Sequence, residues 1–74
     1  MHNTRVYLAY WFPKIAKWGV MGGWVHGEFG NSAVAHKVYS DNGAEYCYKL
    51  RDIFLTASDA EAVADFNNNE VTAS

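Results

Sequence analysis

His26, His36 and Cys47 are the side chains of this 74-residue chain best suited to a soft divalent metal, and Glu28 stands two residues from His26. Imidazole nitrogen and thiolate sulfur are zinc ligands, but structural zinc sites bring paired ligands two to four residues apart. That pairing is missing here, so the spacing predicts no metal and no cofactor, and Cys47 reads as a small buried hydrophobe. His36 with Ser40 or Asp41 supplies residue types of a hydrolytic triad. No nucleophile-elbow sequence accompanies them, and the chain predicts no enzyme. The run "KWGVMGGWVHGEFG", residues 17 to 30, carries five glycines. A phosphate loop needs glycines at set spacings leading into a helix whose amides face the anion, and neither condition is met. The glycines are therefore read as structural.

Length and composition bound the rest. Seventy-four residues make one domain, 1–74, and a chain of this size buries only ~60 % of its unfolded surface. Half of the residues are hydrophobic, which excludes simple disorder. The longest apolar run, Val6 to Phe12, is far shorter than the ~20 residues that span a bilayer. No apolar helix with a small-residue cleavage site follows Met1, and the single cysteine cannot form an internal disulfide; both predict a soluble, cytoplasmic protein with no membrane partner. The net charge of -2 hides an asymmetry. Residues 1–40 hold four cations against one carboxylate, and residues 41–74 hold seven carboxylates against two cations. Four scattered cations are a weak footprint for nucleic acid, and the acidic half is too sparse to mimic a duplex.

The elements follow from pattern. "TRVYLAYWF", residues 4 to 12, is a β-branched and aromatic strand that stops at Pro13. Alternation puts Val6, Leu8, Tyr10 and Phe12 on one face and Tyr7, Ala9 and Trp11 on the other, so both faces are apolar. The glycine-rich run is the second strand, with Gly19, Met21, Gly23, Val25, Gly27 and Phe29 on one side and Trp18, Val20, Trp24 and His26 on the other. It is either one long strand, bent or bulged at its glycines, or a hairpin turning at Gly22-Gly23. Asp41-Asn42-Gly43 is the clearest turn, between strands at about 33–40 and 44–50; a short helix from Asn31 through Val38 is the competing reading of the first. Thr56 caps a helix from Ala57 to about Asn67, with Asp59 at the capping-box position, Ser58 and Glu61 as a second register, and Leu55 as a staple over Ala60. Its core stripe is Ala60, Val63, Ala64 and Phe66, and Asp59, Glu61 and Asp65 face water. Asn67-Asn68-Asn69 ends it, leaving 67–74 as a frayed tail. The order predicts an α+β domain: a small antiparallel β-sheet of about four strands with one C-terminal α-helix packed on one face.

The aromatic residues carry the functional expectation. One helix covers one sheet face, and this helix offers only alanines, a valine and a phenylalanine to cover it. A strand apolar on both faces then leaves an exposed aromatic patch, which marks an interface. Tyr7, Trp11, Trp18 and Trp24, with Lys14 and Lys17, are the candidate partner-binding residues, because Trp and Tyr dominate binding hot spots. The expected function is a non-enzymatic protein-binding module. Small compact chains of this profile resemble phage and mobile-element products directed at host machinery, anti-CRISPR proteins among them. The resemblance implies a stoichiometric inhibitor of a host nucleoprotein complex. Two alternatives stay open: a single-stranded nucleic-acid binder that stacks bases on exposed rings, with Lys14, Lys17 and Lys37 on phosphates, and a self-associating structural protein, such as a homodimer closed over that face.

Overall fold

The computed structural model describes the backbone of residues 3–73 and the side chains of residues 3–70. Four antiparallel strands lie in sequence order: β1 (Asn3–Phe12), β2 (Lys17–His26), β3 (Ala35–Ser40) and β4 (Glu45–Lys49). A 3-10 turn (Leu50–Asp52) leads into α1 (Ala57–Ala73), which packs across β1 and β2. This is the expected α+β architecture. No helix among the described residues is long and apolar enough to cross a membrane.

β1 and β2 pair one to one over ten positions, from Asn3↔His26 to Phe12↔Lys17. Gly19, Gly22 and Gly23, the glycines inside β2, therefore mark neither a bulge nor a turn. They make room: a Cβ on Gly23 would stand 2.7 Å from Val38 Cγ1 and 2.9 Å from the Tyr39 carbonyl oxygen, and one on Gly22 would run into the Arg5 guanidinium. Smallness at these two positions lets β3 and the Arg5 side chain close onto the strand. The Asn42-Gly43 turn forms as expected, with Gly43 at φ +90° and its N–H donating to the Ser40 carbonyl at 2.9 Å. The competing helix at Asn31 does not form; Asn31 Oδ1 instead accepts from the Ala33 N–H at 2.9 Å in a local turn.

The sheet curls around its core. Val6, Leu8, Val25 and Val38, all 2 % exposed or less, gather on the inner face with Ile53, and Met21, Phe29 and Tyr48 pack against them. Tyr10 of β1 meets Tyr46 of β4 edge to face at 5.6 Å, although a flat sheet would set those strands ~14 Å apart. Past β4, Phe54 reaches the outer edge of β1 and exchanges two backbone hydrogen bonds with Tyr7, at 2.7 and 2.9 Å. In a flat sheet that edge lies ~19 Å from β4, more than the five residues from Lys49 can span at ~3.3–3.6 Å each. Closure of the sheet is thus what the short return segment requires.

α1 covers the outer face of β1 and β2. Thr56 caps it as the sequence predicts: its Oγ1 accepts from the Asp59 N–H at 3.3 Å. Ala60 and Ala64 are buried and Val63 is half-buried, but Phe66, expected in the core stripe, is 63 % exposed. At ~100° per residue Phe66 lies ~120° round from Ala60, whereas Ala64 and Asn67 fall within ~40° of it. The packing stripe is therefore small residues followed by asparagines, against which the sheet supplies the bulk. Leu55 is also 60 % exposed and does not staple the first turn. The asparagine run does not end the helix, because Asn68 is tied to the sheet: its Oδ1 accepts from the Trp18 N–H at 2.8 Å and its Nδ2 donates to the Trp18 carbonyl at 3.0 Å. Those bonds outweigh the weak helix propensity of asparagine.

Candidate interaction surface

α1 covers only part of the outer face. The uncovered part is built from neighbouring strand positions: Arg5 opposite Trp24, Trp24 opposite Tyr39, Tyr7 opposite Gly22, and Asn3 opposite His26. Strand alternation brings Arg5, Tyr7, Trp24, His26 and Tyr39 to one side of the sheet. The β3–β4 turn adds Asp41 beside them.

Arg5 organises this cluster. Its guanidinium forks onto the Asp41 carboxylate, with Nη1 donating to Oδ1 at 2.7 Å and Nη2 to Oδ2 at 3.2 Å. The same cation lies 5.1 Å from the centre of the Trp24 ring and 5.4 Å from that of Tyr7. The Trp24 indole Nε1–H also donates to Asp41 Oδ1, at 3.2 Å. The missing side chain of Gly22 leaves the space that the guanidinium occupies. The hydrogen bonds from Arg5 hold the Asp41 carboxyl below the ordinary aspartate range; Coulombic attraction to Arg5 and the Trp24 hydrogen bond add to this, against a smaller opposing effect of desolvation. The pair is solvent-exposed and screened, so it adds little to stability. What it does is fix two rings and a cation in one arrangement.

Next to the cluster, His26 packs edge to face on Tyr39 at 4.7 Å. An open hollow of about 450 Å³ lies between Trp24, His26, Tyr39 and Asp41. Lys37 and Glu45 are 4.0 Å apart on the same face. The surface thus combines apolar rings with polar tips and charges of both signs.

The six residues singled out in the sequence fall into two groups. Tyr7 and Trp24 belong to the Arg5 cluster. Trp11 and Trp18 pair edge to face at 6.0 Å, six residues along the strands, ~20 Å away. Lys14 and Lys17 lie at that second end, in and beside the β1–β2 turn, with Ile15 there 66 % exposed. Trp11 is 39 % exposed and Trp24 38 %, whereas Trp18 and Tyr7 are half-buried. Arg5, Asp41, His26 and Tyr39 were not among the six. Arg5 shares a face with Tyr7 by simple alternation and was legible in that sense; Asp41 read as a turn residue, and nothing local sets a contact across 36 positions.

The residues considered for metal or hydrolytic chemistry stand apart. His36 lies buried on the inner face against Phe29, with rings 5.3 Å apart, and His26 and Cys47 lie on the outer face. Cys47 is exposed, not buried as its type suggested, because it sits on the uncovered face of β4. Among the described residues no three His, Cys, Asp or Glu side chains come together as a metal group. The Ser40 hydroxyl is engaged with Asn42 in the turn, and His36 Nε2 meets no hydrogen-bond partner among the described residues. Comparison with protein-family models, curated proteins and solved structures finds no match for this chain.

Proposed function

We propose that the chain is a non-enzymatic protein-binding module that docks a partner on the uncovered outer face, with Arg5, Tyr7, Trp24 and Tyr39 at the centre of the contact. The observation that carries this reading is the Arg5–Asp41–Trp24 arrangement: an exposed indole held in place by a cation and a carboxylate. Trp, Tyr and Arg dominate binding hot spots, and side chains already ordered before binding lose less entropy on contact. Burying them against a partner is the most economical use of a rigid exposed cluster. The same geometry speaks against base stacking. The guanidinium lies over the Trp24 ring and Asp41 neutralises it, while Lys14 and Lys17 lie ~20 Å from those rings.

The test compares retention of host proteins on immobilised wild-type chain and on Arg5→Ala, Trp24→Ala and Trp11→Ala variants of checked fold. A partner held by wild type and Trp11→Ala, and about tenfold or more weaker on the other two, supports the assignment. Equal retention by all four, or retention by none, overturns it.

A further inference from the structure

We propose that the outer edge of β2 at Val20 accepts an extended peptide segment, added as a short strand antiparallel to β2 and bearing an acidic residue toward its C-terminal end. This site adjoins the Arg5–Trp24 cluster at Gly22 and Asp41 but does not depend on the docking proposed for that cluster.

Antiparallel pairing sends the N–H and C=O groups of Trp18, Val20, Gly22 and Trp24 to the edge of β2 that faces away from β1. That edge is occupied at both ends. β3 pairs with β2 only from Gly23 to Val25, and the Asn68 carboxamide takes both backbone groups of Trp18. Between them, at Val20, no strand of the described residues pairs with the edge. From Trp18 to Trp24 the edge measures ~20 Å, and the flanking pairs leave room for a strand of about four residues. Unpaired backbone donors and acceptors on a strand edge are the complement of another extended backbone.

The flank supplies the rest of the recognition. A groove of about 450 Å³ runs between this stretch of β2 and the β3–β4 turn, with Tyr10, Phe12, Met21 and Tyr46 in its lining. A strand on the edge turns every second side chain toward it. Charge sets the direction. Lys17 lies opposite Phe12, on the groove's side of the sheet, and neither it nor Lys14 has an ion-pair partner among the described residues. Asp41 stands at the other end of the groove. An antiparallel strand brings its C-terminal end to Lys17 and its N-terminal end toward Asp41, so a carboxylate near the C-terminus meets an unpaired cation.

The probe is an acetylated, amidated pentapeptide Val-Thr-Val-Thr-Glu, titrated into the full 15N-labelled chain. A second peptide, N-methylated at its second threonine, the residue set opposite Val20 when Glu reaches Lys17, lacks one pairing donor. Expected are saturable amide shifts at Val20 and Gly22 with a dissociation constant of about 1 mM or below, and binding about tenfold weaker for the methylated peptide, as one lost hydrogen bond implies. Val20→Pro removes the outward donor without touching the β1–β2 ladder and should weaken binding to a similar degree. Lys17→Glu should weaken it as well. If Val20→Pro does not fold, the methylated peptide on the wild-type chain decides the same point. No saturation by about 10 mM, equal binding of the two peptides, or shifts centred on Trp24 and Tyr39 overturns the proposal.

Discussion

The side-chain amide of Asn68 pairs with both backbone groups of Trp18, as a neighbouring strand would. One residue of α1 thereby caps the Trp18 end of the stretch of β2 that β3 does not reach, and fixes where the helix crosses the sheet. Asn68→Ala should cost ~1–3 kcal/mol, because it leaves a half-buried N–H and C=O without these bonds. Native-state hydrogen exchange provides the local check: the Trp18 amide, protected in the wild type, should exchange markedly faster in the variant. A Trp18 amide that exchanges freely in the wild type contradicts the contact.

Helix packing yields a contrast between two substitutions two residues apart. Ala64 is 2 % exposed beneath α1, so Ala64→Leu forces four heavy atoms' worth of bulk into a closed layer less the methyl already there, at a cost of ~1–3 kcal/mol. Phe66 points to solvent, and Phe66→Ala should change stability by no more than ~0.5 kcal/mol. Chemical denaturation of both variants checks the helix rotation. Reversal of the order would place Phe66 in the core after all.

Much of the fold was legible because it is local. Alternation in β1 and β2, the positive φ demanded at Gly43 and the Thr56 cap each follow from a few adjacent residues. What was not legible is set by closure of the sheet. Alanines, a valine and a phenylalanine looked too slight to cover a face, yet Ala60 and Ala64 suit a helix lying close on the strands, with Trp18 supplying the bulk. Phe66 drew the eye by hydrophobicity, although its angular position excludes it from the Ala60–Ala64 stripe. Half of the candidate site was likewise visible: Tyr7 and Trp24 are aromatic residues on a recognisable face. Asp41, which locks their geometry through Arg5, depends on how the β3–β4 turn sits over β2, and no short-range pattern encodes that.

The Arg5–Asp41 pairing has a pH signature. The Asp41 carboxyl is shifted below its unfolded value, so its contribution to stability is fully present above the ordinary aspartate range and is lost as pH falls through the folded value. An NMR titration of the Asp41 carboxyl should show a midpoint below that of an aspartate in the unfolded chain, with the Trp24 indole N–H resonance following the same transition. Arg5→Gln should raise that midpoint, and so should Gly22→Ala, whose methyl would displace the guanidinium. An Asp41 midpoint unchanged by Arg5→Gln rules out the pairing as its cause.

Whether the Arg5–Trp24 cluster serves binding or only folding is decided by one substitution read two ways. Trp24→Ala is compared with the wild type for its unfolding free energy and for its affinity toward a retained partner, on the same samples. Trp24 is 38 % exposed, so its removal should cost no more than ~1.5 kcal/mol of stability while weakening binding by ~2 kcal/mol or more. A stability loss of ~3–5 kcal/mol, the range of a buried aromatic, with binding reduced only in proportion to unfolding, would contradict the account.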